Sequence, residues 1–131
     1  MNNLIKYSSE LKTLNEVEKL VDEITSEFKI STEVYGKVQV SLIEAVNNAI
    51  LHGNKLDSDK EVELFYEVEN SKLKFIITDY GDGFDFSDVP DPTTPENIEK
   101  PHGRGIFLMR HLADEIDFRK DGTEVELIFN I

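Results

Sequence analysis

The sequence predicts an α+β fold: a two-layer α/β sandwich in which helices cover one face of a mostly antiparallel sheet. Three observations carry that expectation. Two stretches with three-and-four apolar spacing come first, at residues 10–28 and 32–51. Two neighbouring stretches then alternate with period two across a tight turn, and another alternating run closes the chain. Helices grouped ahead of hairpin-linked strands favour a helical layer on one side of an antiparallel sheet.

Each element has its own signal. Leu11, Leu14, Val17, Val21, Ile24 and Phe28 recur at helical spacing and predict an amphipathic first helix. A second helix is expected from Thr32 to about Leu51, with Val34, Val38, Leu42, Ala45, Val46, Ala49 and Ile50 on its apolar face. Gly53 is its plausible stop. In "KEVELFYEVE" the residues Val62, Leu64, Tyr66 and Val68 share one side of a strand, and Leu73, Phe75 and Ile77 do so in "KLKFIIT". The turn "ENSK" joins them as an antiparallel hairpin. A short helix from about Gly103 to Ala113 follows, then a strand holding Ile116 and Phe118. "DGT" turns into a last strand in which Val125, Leu127, Phe129 and Ile131 alternate. No repeat interrupts the pattern, and 131 residues suffice for one domain, 1–131, with its own core.

One stretch resists assignment. From Asp85 to His102 no periodicity persists, and all four prolines fall there, at Pro90, Pro92, Pro95 and Pro101. A loop of that length is either a lid or binding loop, or a tolerated surface insertion.

Composition excludes several classes of function. Fourteen basic against twenty-seven acidic residues leave a net charge of −13. Such a field repels nucleic acid and anionic lipid, and the scattered lysines and arginines form no basic patch. No apolar run reaches the roughly 18 residues that span a bilayer. "MNNLIKYSSELK" carries no secretion signal, and the absence of cysteine suits a reducing cytoplasm. The expected setting is cytoplasmic, with no membrane and no nucleic acid. An anionic ligand is still admissible where local donors and a cation mask the charge.

Three places could carry chemistry. In "SLIEAVNNAILHG", Glu44 and Asn48 are four apart and project from adjacent turns of one helix. The helical wheel sets Glu44 opposite the apolar arc and Asn48 nearer its edge. A solvated polar face is one reading. A carboxylate base beside an amide that ligates magnesium is the other, because hard cations take oxygen donors. Next, "DYGDGFDFSD" fails as a calcium loop: counted from Asp79, the positions that should hold oxygen ligands are Gly81 and Gly83. Asp79 at a strand end could accept an exocyclic amine such as adenine's, with Gly81 and Gly83 allowing close approach. A plain Asx-type turn is the alternative. Last, in "HGRGIFLM", Gly103 and Gly105 bracket Arg104 at a helix start, where free amides and a guanidinium suit phosphate. A glycine-flanked helix start without a ligand reads equally well from these residues.

In combination and in this order, the segments resemble the histidine-kinase-like ATPase (GHKL) superfamily. "EAVNNAILHG" is similar to its asparagine box, "DYGDGF" to its first glycine box and "GRGIFLM" to its second. The short length, the "E-A-x-x-N-A-x-x-H-G" form and the "G-T-E-V" ending resemble the bacterial anti-sigma factor serine/threonine kinases. The resemblance implies the Bergerat fold, with a nucleotide pocket between helices and a mixed sheet. It implies ATP and Mg2+ as cofactors, with Asn48 holding the metal and Glu44 acting as general base toward a serine hydroxyl. Asp79, Gly81 and Gly83 would then receive adenine, Gly103, Arg104 and Gly105 the phosphates, and residues 85–102 would form the lid.

The partners implied are a STAS-type anti-anti-sigma factor and a sigma factor, with a homodimer expected. A nucleotide-sensing module without phosphotransfer is the alternative function. The three histidines, His52, His102 and His111, lie in or beside these boxes and none sits on a separate acceptor helix. That argues against a sensor histidine kinase.

Overall fold

The structure, a computed structural model, describes residues 2–83 and 101–131; of Asn2, Pro101, His102 and Gly103 it describes the backbone alone. Strand β1 (Asn2–Ser8) leads into helices α1 (Thr13–Glu27) and α2 (Thr32–Asn48), and α2 runs out through a π-helical turn over Ala49–Gly53. The hairpin β2 (Glu61–Glu69) and β3 (Lys72–Thr78) follows. Helix α3 (Pro101–Leu112) comes next, and β4 (Glu115–Arg119) and β5 (Glu124–Asn130) complete the described chain. The five strands lie in the order β1-β2-β3-β5-β4, and every described pairing is antiparallel. The anticipated segment 85–102 falls almost wholly outside the described residues.

Local chemistry accounts for the boundaries. Ser31 caps α2 by accepting the Val34 amide at 3.3 Å. The β2–β3 turn needs two consecutive left-handed residues, which Asn70 (φ 54°) and Ser71 (φ 61°) supply. Lys120, Asp121 and Gly122 do the same between β4 and β5, with φ of 53°, 57° and 89°.

The register aligns the inward side chains in rows across the sheet. Ile5, Leu64, Ile77, Val125 and Phe118 form one row, and Tyr66, Phe75, Leu127 and Ile116 the next. Against these rows pack Val17, Leu20, Val21 and Ile24 of α1, the Val38–Ile50 face of α2, and Ile106 and Met109 of α3. Phe75, Phe129, Leu64 and Leu42 are fully buried, so the apolar gain concentrates between sheet and helices.

Two sequence expectations change. Strand β1 was not anticipated: Leu4 points outward, 58% exposed, so the segment's apolar residues do not alternate cleanly. The first helix starts at Thr13, which leaves Leu11 outside it and Phe28 just past its end, both exposed.

Candidate functional site

A cleft opens between the end of α2, the sheet and α3. It encloses about 60 Å³, several times the roughly 10–15 Å³ that one water requires. The floor is the end of one core row: Ile77, Val125 and Phe118. The helical wall is Ala45, Asn48, Ala49, His52 and Gly53, with Met109 from α3. Asp79, Gly83, Gly122 and Thr123 close one end. A cleft with apolar walls, one carboxylate and the Asn48 amide suits a small, largely apolar ligand that carries an N–H donor.

Asp79 is the first residue beyond β3. Its N–H donates to the Thr123 carbonyl at 2.9 Å, and its Oδ1 accepts the Gly81 N–H at 2.9 Å. Burial pushes its carboxyl pKa up, and the Gly81 hydrogen bond and the nearby Lys60 charge pull the other way. Among the described residues, the Gly81 N–H is the one hydrogen-bond donor to this carboxylate.

Glycines make that geometry possible. A Cβ on Gly53 would strike the Asp79 carboxyl, and one on Gly81 would strike the Gly53 carbonyl. The end of α2 and the turn after β3 therefore meet backbone to backbone. Gly83 stands at φ 80° against the Asp121 carbonyl, a left-handed conformation that a side chain would strain.

Glu44 and Asn48 end on the side of α2 that faces α3. A Cβ on Gly105 would stand 2.8 Å from Glu44 Oε2, 3.3 Å from Asn48 Nδ2 and 3.5 Å from Asn48 Oδ1. The three residues thus share one small space. The helical wheel gave Glu44 a solvent-facing side, but α3 packs over it and leaves it half-buried. Desolvation raises its pKa, and the Arg104 guanidinium opposes that shift.

The glycine–arginine stretch lies inside α3, because the helix begins at Pro101. The free first-turn amides of a helix are its first four, and proline has none. Counted from the N-cap, these reach only the third helical residue, so within α3 His102 and Gly103 supply them, and Arg104 offers its guanidinium. Gly105 instead gives Glu44 and Asn48 the room they need.

Sequence reasoning missed Gly53 as part of the site, having read it as a helix stop. It also missed Thr123 and Gly122, whose "DGT" signal was read only as a turn. The expected residues Asp79, Gly83 and Asn48 do line the cleft.

Residues 7–129 match the sequence profile of the family described as "Histidine kinase-like ATPase domain". The chain belongs to this family. Among curated proteins, it is 31% identical over 97 residues to the serine-protein kinase RsbW of Staphylococcus aureus, in strains JH9 and Newman alike. That alignment takes in 68% of this chain and 61% of each kinase, so the chain spans about three-fifths of the length of the relatives it matches. Among solved structures, it superposes with a TM-score of 0.71 on the RsbU and RsbW domains of Rv1364c from Mycobacterium tuberculosis. At 14% identity, over 99% of this chain and 32% of that one, the likeness concerns the fold. No described helix is long and apolar enough to cross a membrane.

Proposed function

We propose that this domain binds ATP with Mg2+ and phosphorylates a serine or threonine of a small partner protein, acting as an anti-sigma factor kinase. The observation that carries the proposal is Glu44: a half-buried carboxylate, one turn from Asn48 and tight against Gly105, with its pKa raised by desolvation. A domain that only sensed nucleotide would have no use for a proton acceptor there. The S. aureus serine-protein kinases supply further support through their similarity.

In this reading adenine enters the Ile77–Val125–Phe118 slot and gives its amine hydrogen to Asp79. Gly83 borders that slot, and Gly81 lets the turn close on Gly53 beside it. Gly103 and Arg104 hold the phosphates through amides and guanidinium, and Gly105 keeps them near Glu44. The residues present fit a magnesium ion, since the Asn48 amide oxygen is a hard donor and stands one turn from a carboxylate base. Asn48 would hold that ion, which when bound neutralises phosphate charge.

Glu44 orients the acceptor hydroxyl and takes its proton as the oxygen bonds to the γ-phosphorus and ADP departs. Positioning and charge neutralisation then supply most of the catalysis. The 85–102 segment serves as lid on sequence grounds. The partners proposed are a STAS-type anti-anti-sigma factor and a sigma factor, with the domain acting as a homodimer.

The test uses labelled ATP, Mg2+ and candidate STAS-type domains. Glu44→Gln should slow label transfer about 10²–10⁴-fold while leaving ATP affinity nearly unchanged. Asn48→Ala should remove the magnesium dependence of ATP binding in calorimetry. Tight ATP binding without transfer to any partner would favour the sensing module. No ATP binding at all would remove both readings.

A further inference from the structure

An asparagine just past a helix-ending glycine is ordinarily a solvated turn residue. Asn54 is only 2% exposed, and its whole amide group is engaged. Nδ2 donates to Ser9 Oγ at 2.8 Å and to the Glu61 carbonyl at 3.2 Å. Oδ1 accepts the Tyr80 N–H at 2.8 Å. The amide's orientation is dictated by its partners. Ser9 Oγ gives its own proton to the Lys60 carbonyl at 2.5 Å, so it must receive from nitrogen, whereas the Tyr80 N–H must meet oxygen. The Asn54 backbone N–H also reaches back to the Ala49 carbonyl at 2.8 Å, closing the π-helical turn at the end of α2.

One side chain therefore ties four segments together: the β1–α1 junction, the start of β2, the exit of α2 and the chain leaving β3. The last of these is the one that bears on the site. Three successive amides have fixed acceptors: Asp79 to the Thr123 carbonyl, Tyr80 to Asn54, and Gly81 to Asp79 itself. The first anchors the Asp79 backbone, and the third holds its carboxylate directly. The middle one fixes the peptide plane between them, and Gly53, next to Asn54 in the chain, abuts the Asp79 carboxyl.

We infer that Asn54 is a positioning residue for base selection: by holding the Tyr80 amide it aims the Asp79 carboxylate at the exocyclic amine of adenine. The inference rests on the ATP-binding reading above. Asn54 lies outside the set of cleft-lining residues, so its loss should act on the base and spare the phosphates.

The experiment titrates the protein with ATP and with inosine triphosphate, which carries a carbonyl in place of the amine and the same triphosphate. Wild type should prefer ATP. Asn54→Ala should weaken ATP binding about ten- to a hundredfold, as expected for one hydrogen bond to a charged group. Its affinity for inosine triphosphate should change less than about threefold, so the preference collapses. Asn54→Ser is the milder variant, which keeps a polar side chain but is too short to meet the Tyr80 N–H. Leu73→Ala, in the core at the far end of β3, should lower Tm and leave the preference intact. An unchanged preference in a folded Asn54 variant overturns the inference. So does an equal loss for both nucleotides, or a failure of both Asn54 variants to fold where Leu73→Ala folds. Wild type that binds ATP no better than inosine triphosphate would overturn the adenine reading, and this inference with it.

Discussion

Asp79 and Glu44 are both half-buried carboxylates with raised pKa values, and desolvation is the leading cause in each. A carboxyl whose pKa is higher folded than unfolded binds more protons in the folded state. Its stabilising contribution is full below the ordinary carboxylate range and is lost as the pH rises through the raised folded value. At neutral pH the shift of each group therefore opposes folding. Asp79→Asn keeps an oxygen for the Gly81 N–H and removes the buried charge. Its Tm should exceed that of wild type at pH 7, with the gap narrowing toward about pH 4 in thermal melts. The same variant should lose ATP affinity about ten- to a hundredfold, because a neutral acceptor replaces a charged one. A wild-type Tm at pH 7 equal to or above the variant's would show that the carboxylate is not under strain.

At the scale of elements, the site depends on how the end of α2 meets the end of β3. The π-helical turn over Ala49–Gly53 carries the helix exit beside Asp79; the Asp79 carboxyl leaves no room for a Cβ on Gly53, and the Gly53 carbonyl leaves none for one on Gly81. The obstacle at Gly81 is backbone, which cannot rotate away as a flexible side chain would. Gly81→Ala should therefore destabilise the fold by about 1–3 kcal/mol, the usual range for overpacking, and also weaken ATP binding. Denaturant unfolding followed by calorimetric titration would check both; a variant as stable as wild type would show that the two segments separate easily. The helices α1 and α2 and the β2–β3 hairpin were legible because their signals are local. Strand β1 was not: Leu4 and Ile5 break the alternation, and its partner β2 is some fifty residues away.

Over the whole molecule, charge works against compactness. Local pairs offset part of it on the open face of the sheet: Arg119 lies 2.8 Å from Glu126 and 3.5 Å from Glu124, and Lys74 lies 3.3 Å from Glu67. These pairs are partly covered, yet each is a local contact at the surface, where an ion pair contributes about 0–1 kcal/mol when exposed. A net charge of −13, by contrast, repels itself over the full surface. Screening should therefore favour the fold. Raising NaCl from about 0.01 to 0.15 M shortens the Debye length from about 30 to 8 Å, and Tm should rise over that interval. A fall in scanning calorimetry would mean that the ion pairs outweigh the repulsion.

The sequence by itself determined the helix periods, the hairpins and the order of the three motif segments, because each depends on spacing within a few residues. It also brought out Asn48, Asp79 and the glycines, through motifs that resemble a known family. Only the tertiary structure decided which polar residues are buried and what they meet. Glu44 looks solvent-facing on an isolated helix, yet α3 covers it; Asn54 looks like a loop residue, yet four segments close around it. Burial and hydrogen-bond partners arise from segments far apart in the chain, and no local spacing rule encodes them.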